Sequence, residues 1–337
     1  MGQSLIAFDT NHIKQYVFGT NKLKEIRGAS SILDRLNRVV MTQREKKYYD
    51  TQKIYANGGL GLFLVDSQQA DKFGRYVQQE YKEATGGSVS VSYVTQALPK
   101  DFKLSDHIPD RLDLLQWMLE KEKREVHQLI ALPSHPFIRL CSSCGVEYAD
   151  AEIESKYLIH DPGETDDLYC ESCHKKRIQD KDVKDLITDF TKYGKRLKDA
   201  ENKEQLWGTI LTRLSELGYD FSDKPQRPDN FNVFRNFKGA KDYLGLIYAD
   251  GNNMGRAFAQ LTTLPQRKAL AKTIDGAIYE AVCQAIVKHL QVADHLKPKE
   301  QLADDLKHAV FPFDILLLGG DDVLMVVPAS VALDVAL

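Results

Sequence analysis

The chain has no run of eighteen apolar residues, so it offers no candidate membrane-spanning helix. Its start, Met1-Gly2-Gln3-Ser4-Leu5-Ile6, lacks the charged-then-apolar layout of a signal peptide. Ile6 stands where an N-myristoylation site has Ser or Thr. A cytoplasmic protein with no membrane partner is expected. Excess charge is also missing: 45 Lys and Arg against 48 Asp and Glu leave −3. No global field therefore draws the molecule to nucleic acid, and any such contact needs a local patch. Low-complexity tracts are absent. Cysteines are few, five in all, and disulfides between them are disfavoured in the cytoplasm. What is present is ordinary globular composition, 43% hydrophobic and 28% charged, over 337 residues, enough for two or three domains.

Four of the five cysteines form two knuckles, Cys141-x-x-Cys144 and Cys170-x-x-Cys173, joined by a polar loop. Thiolates at this spacing each wrap one side of a tetrahedral ion, so structural Zn2+ is expected there. Four sulfur ligands leave no open position, which excludes catalysis by that ion and makes His174 superfluous as a ligand. Cys283 lies alone in an apolar helical stretch and reads as a small core residue.

The most informative stretch is Gly319-Gly320-Asp321-Asp322, flanked by Phe313–Leu318 and Val323–Val327. Two apolar runs joined by a double glycine read as a hairpin. Adjacent carboxylates repel each other, so a cation is their natural compensation, though a plain surface turn has the same composition. A second segment strengthens the cation reading. Leu244–Ala249 is an apolar strand ending in Asp250, followed by Gly251-Asn252-Asn253-Met254-Gly255, a glycine turn into a helix. A strand-borne aspartate beside a hairpin-borne pair is how palm-type polymerases and cyclases hold two divalent metals over a triphosphate. The plain alternative for Asn252 and Asn253 is a polar helix cap.

The first third of the chain repeats this pattern. Leu5-Ile6-Ala7-Phe8-Asp9 matches Leu246-Ile247-Tyr248-Ala249-Asp250, and Gly58-Gly59 matches Gly319-Gly320, with Leu60-Gly61 in place of the two aspartates. Copy one reads as strand (4–9), helix (21–38), hairpin (52–65), helix (68–84) and strand (88–95), the βαββαβ order of a ferredoxin-like palm. Copy two has helical segments over 255–293, and only 17 residues follow Gly320. Its second helix barely begins and its closing strand is missing, so a fragment of a longer protein is expected, or a completing segment elsewhere. The expected class is α+β: two ferredoxin-like palm domains with a helical and zinc-knuckle region between them, the second palm truncated. The segments are 1–98 (first palm), 99–135 (helical linker), 136–180 (zinc knuckle), 181–240 (helical region) and 241–337 (second palm). Ser222–Asn230, rich in Pro and polar groups, reads as the clearest linker.

Asn21-Lys22-Leu23-Lys24-Glu25-Ile26-Arg27-Gly28-Ala29-Ser30-Ser31-Ile32-Leu33 resembles the signature helix of the first palm in the large, polymerase-like subunit of type III CRISPR effector complexes. Tyr248–Gly255 and Gly319–Asp322 resemble that subunit's second palm, and the zinc knuckles fall between the palms as in that family. The resemblance implies two facing palms that bind two ATP molecules. It further implies a complex with guide RNA and other subunits, in which target RNA triggers synthesis of cyclic oligoadenylates in antiviral defence. Asp250, Asp321 and Asp322 would then be the catalytic carboxylates, holding two Mg2+ or Mn2+ ions. Gly251, Asn252, Asn253, Gly255, Gly319 and Gly320 would approach the nucleotide, and Gly28, Ala29 and Ser30 would line the second nucleotide site. The plain alternatives are helix packing for the small residues, and a solvated face for Lys24 and Arg27. The HD nuclease domain of many family members has no counterpart before Leu5, and His160-Asp161 reads as a coincidental dipeptide.

The implied chemistry is attack of a 3′-OH on an α-phosphate with pyrophosphate leaving, without an evident side-chain general base. Alternatives are a diguanylate-type cyclase, disfavoured because Asp322-Val323 stands where that family has Glu-Phe; a freestanding nucleotide cyclase; and a nucleotide-binding scaffold without turnover.

Overall fold

A computed structural model describes residues 2–44, 51–126, 139–150, 167–194, 204–239, 243–292 and 309–337. His160-Asp161 lies outside the described residues. In chain order the elements are β1 (Gln3–Thr10), α1 (Ile13–Phe18), α2 (Leu23–Arg35, continued by a π-helical segment Leu36–Arg44), β2 (Thr51–Asn57), β3 (Leu60–Asp66), α3 (Ala70–Thr85), β4 (Val91–Ala97) and α4 (Pro109–Val126). There follow α5 (Glu171–Tyr193), α6 (Leu206–Glu216), β5 (Leu244–Ala249), α7 (Met254–Ala259), α8 (Leu264–His289), β6 (Asp314–Gly319), β7 (Asp322–Pro328) and α9 (Ala332–Ala336). No helix among the described residues is long and apolar enough to cross a membrane.

The chain divides into two compact units, Met1–Asp180 with Asn253–Lys272, and Lys181–Asn252 with Thr273–Leu337. The first holds a four-stranded antiparallel sheet in the order β2-β3-β1-β4, the arrangement expected of βαββαβ. One face carries Ile6, Phe8, Phe63 and Val65 under Ala29, Ile32 and Leu33 of α2 and Phe73, Val77 and Tyr81 of α3. Phe8, Phe63 and Phe73 meet edge to face at 5.4–5.8 Å, the packing that aromatic quadrupoles favour. The other face carries Leu5, Ala7, Leu62, Leu64 and Val94 under Leu112, Leu115 and Leu119 of α4. The alternation of Ser88–Val94 predicts a half-buried strand; because helices cover both faces, even Ser92 is buried. It accepts from Asn11 Nδ2 at 3.1 Å.

The second unit holds a three-stranded antiparallel sheet, β5-β7-β6. One face, with Ile315, Leu318, Val323, Met325 and Val327, packs against Val183 and Ile187 of α5, Trp207, Ile210 and Leu214 of α6, and Cys283 and Ile286 of α8. Cys283 is the expected small core residue, and burial pushes its thiol up to about 11. Leu244, Leu246 and Tyr248 of β5 point to the opposite face and are exposed. Among the described residues β5 has a neighbour on one side only, whereas its counterpart β1 lies between β3 and β4.

Two of the expected boundaries shift. Ser222–Asn230 is no free linker: Gln226 pairs with Val310, and buried Arg227 donates to Asp314 Oδ1 at 2.8 Å. The region 181–239 thus shares one core with the second sheet instead of forming a separate helical domain. The segment Asn253–Lys272, expected within the second palm, belongs to the first unit. Leu264 joins the core beneath α4, and Ile108 N–H donates to the Thr262 carbonyl at 2.9 Å.

Candidate functional site

The repeat is legible in the backbone. Asp9 and Asp250, His12 and Asn253, and the first residues of α1 and α7 and of α2 and α8 are all separated by 241 positions. His12 and Asn253 both adopt the left-handed region, φ 61° and 59°, each just before a six-residue helix. The hairpins follow a second constant offset of 262, from Asn57 to Gly319, Leu60 to Asp322 and Ala70 to Ala332. Both carry a register irregularity at the same place, between Lys53 and Tyr55 and between Ile315 and Leu317.

That register corrects the glycine alignment by one residue. Asn57 faces Leu60 as Gly319 faces Asp322, so Gly58 corresponds to Gly320, Gly59 to Asp321 and Leu60 to Asp322. The cause is turn chemistry. The first hairpin has positive φ at both central residues, Gly58 at 59° and Gly59 at 84°, the condition of a type I′ turn. In the second only Gly320 is positive, at 66°, the condition of type II′, which leaves the next position open to Asp321.

The second unit brings its carboxylates to one end of its sheet. Ala249 pairs with Val323, and the next step of that register sets Asp250 opposite Asp322, with Asp321 in the turn beside it. Asp250 is exposed and the other two half-buried. Tyr248 donates its hydroxyl to Asp322 Oδ1 at 3.3 Å. The negative charge of Asp322 above all, with burial and the charges of Asp250 and Asp321, raises the Tyr248 pKa. An all-oxygen donor set on a solvent-facing turn fits hard divalent cations such as Mg2+ or Mn2+. Gly251 and Asn252 continue the turn after Asp250, and Asn253 begins α7 without a side-chain cap bond. The cap alternative for Asn253 therefore does not hold. Gly255 has open space beside it.

In the first unit the counterpart aspartate meets a different fate. Lys123 of α4 donates to Asp9 Oδ2 at 2.7 Å, and Leu60 and Gly59 supply no carboxylate. An ammonium compensates Asp9 where three carboxylates would call for a metal.

The other small-residue group lies in a packed helix. A Cβ on Gly28 would overlap the backbone carbonyl of Lys176, Ala29 is fully buried under the sheet, and Ser30 is buried as well. Close packing against α5 accounts for the glycine at position 28. Arg27, expected on a solvated face, is also buried.

The four cysteines lie within 4.8 Å of one another, and the three aspartates form no comparable group among the described residues. None of the cysteines is in a disulfide, and the Cys144 and Cys170 sulfurs are 3.9 Å apart. Tetrahedral Zn–S bonds of about 2.3 Å require roughly that separation. Hydrogen bonds from the other three thiols hold Cys141 well below the usual thiol range, while Cys170 and Cys173, facing Cys141 and Cys144, are pushed up in return. A buried polar node fastens the knuckles to α2. Arg177 Nε donates to Glu25 Oε1 at 2.7 Å, Ser143 donates to the same oxygen at 2.6 Å, and the Arg177 guanidinium lies 3.9 Å over the Tyr169 ring.

No protein-family model and no curated protein matches the sequence. Solved structures do match. The apo Csm1–Csm4 cassette aligns over 99% of this chain with a TM-score of 0.53 at 10% identity. The cassette in complex with pppApApA gives 0.56 at 11%, and that with cA4 gives 0.52 at 12%. The fold is shared with the Csm1–Csm4 cassette. This chain spans 46% of the matched chain in each case.

Sequence reasoning missed Tyr248, Lys123 and the Glu25–Arg177 pair. Strand alternation already puts Tyr248 on the face of Asp250, and this could have found it. No local pattern connects Lys123 with Asp9 across 114 positions.

Proposed function

We propose that the chain is the nucleotidyltransferase part of the polymerase-like subunit of a type III CRISPR effector, joining ATP into cyclic oligoadenylates. The observation that carries this reading is the antiparallel sheet end where Asp250 follows β5 opposite the Gly320-Asp321 turn. The fold shared with a cassette solved with pppApApA and with cA4 supports it, as does the sequence resemblance. Asp250, Asp321 and Asp322 would hold two Mg2+ or Mn2+ ions, which supply activation of the 3′-OH and neutralisation of the leaving pyrophosphate. The chain's own residues do the rest by placement. The glycine turn lets backbone approach the triphosphate, Tyr248 lies beside the carboxylates, and the exposed sheet end admits substrate. Other effector subunits, guide RNA and target RNA are the partners this reading requires.

Mass spectrometry of products from ATP with Mg2+ or Mn2+, with and without cognate complex and target RNA, tests it. Cyclic adenylates that disappear in an Asp321→Ala/Asp322→Ala double variant are expected. ATP binding without product under every condition would instead make the chain a nucleotide-binding scaffold.

A further inference from the structure

We propose that Tyr248 is a positioning residue whose hydroxyl fixes the orientation of the Asp322 carboxylate for a divalent cation; this rests on reading Asp322 as a cation ligand. Two independent observations carry it. The first is geometric. Tyr248 and Asp322 stand diagonally on one sheet face, since Tyr248 pairs with Leu324, two residues beyond Asp322. Neighbours in this relation are within reach of long side chains, and the hydroxyl does reach Oδ1 at 3.3 Å. A hydrogen bond from behind to one oxygen of a ligating carboxylate fixes its orientation, as groups behind metal ligands commonly do.

The second observation comes from the internal repeat. The constant offsets make Ala7 the counterpart of Tyr248 and Leu60 that of Asp322, and Ala7 pairs with Leu62 as Tyr248 pairs with Leu324. The copy without the carboxylate also lacks the hydroxyl, and there Ala7 packs under α4. In the second copy the same position carries Tyr248, half-exposed beside Asp322. The phenol accompanies the aspartate that it touches.

The test is Mn2+ binding by the full chain, followed by electron paramagnetic resonance, for wild type, Tyr248→Phe and Asp322→Asn. Phe keeps the ring and removes only the donor, and thermal unfolding in excess chelator controls for folding. The expected result is a Mn2+ affinity about tenfold weaker in Tyr248→Phe, in the range seen for groups behind metal ligands, with unchanged unfolding in chelator. In turnover assays the same variant should need more metal for half-maximal rate and approach the wild-type rate at saturating metal. Wild-type Mn2+ affinity in Tyr248→Phe would overturn the inference while leaving the cation reading intact. Wild-type binding that is unaffected by Asp322→Asn would overturn the cation reading, and the inference with it.

Discussion

At the scale of single residues, identical chemistry serves different ends depending on what surrounds it. Gly28 and Gly320 are both glycines inside motifs that resemble nucleotide sites. Gly320 needs its freedom for a positive φ, whereas Gly28 needs the absence of a side chain because the Lys176 carbonyl occupies the space. Gly28→Ala should therefore destabilise the first unit by about 1–3 kcal/mol, the range for overpacking against an unyielding neighbour. Thermal unfolding would measure it; a neutral result would mean that α2 slides away from α5 without loss. Aspartates differ in the same way. Asp9 has Lys123 for compensation, while the described surroundings of Asp322 include the like charges of Asp250 and Asp321 and the Tyr248 phenol. The sequence showed which aspartates end strands, because apolar runs mark strands. It did not show which are neutralised, because the neutralising cation lies on a distant helix.

At the scale of elements, the repeat makes one hairpin the control for the other. Both turn at a glycine of positive φ, Gly58 and Gly320, with equivalent registers on each side. An alanine forced into the left-handed region costs roughly 1–2 kcal/mol. Gly58→Ala and Gly320→Ala should thus lower stability by similar amounts in urea denaturation. Only Gly320→Ala should also weaken Mn2+ binding, since its strain is relieved by moving Asp321 and Asp322. Equal Mn2+ affinities in the two variants would separate the hairpin from the cation site. Strand and helix order was legible in copy one because periodicity there is clean: apolar positions of α3 recur at three- and four-residue spacing, and Phe73, Val77 and Tyr81 are all buried. Turn alignment was less legible, since Gly-Gly satisfies two turn types and only the hydrogen-bonded register separates them.

At the scale of the whole molecule, the division into units follows cores instead of sequence order. Pro-rich composition marks Ser222–Asn230 as a boundary, but Arg227 buries its guanidinium against Asp314, so the segment closes the second core. Long-range ion pairs of this kind leave no periodic trace, which is why domain limits were the least readable feature. The zinc knuckles belong to the first unit, tied to α2 through the buried Glu25–Arg177 pair. Structural zinc supplies on the order of 10 kcal/mol in small domains, so its removal should unfold what the knuckles brace. The chain has two tryptophans. Trp117 lies exposed on α4 in the first unit, and Trp207 lies buried in the second. In a Trp117→Phe variant, fluorescence then reports the second core alone, while circular dichroism reports both. Adding a strong zinc chelator under reducing conditions should lower the melting of the first unit by several degrees and leave the Trp207 transition in place, because none of the four clustered cysteines lies in that core. Metal analysis before chelation should give one zinc per chain. A Trp207 transition that falls in step with the rest would mean that the two cores unfold as one cooperative body and that zinc braces both.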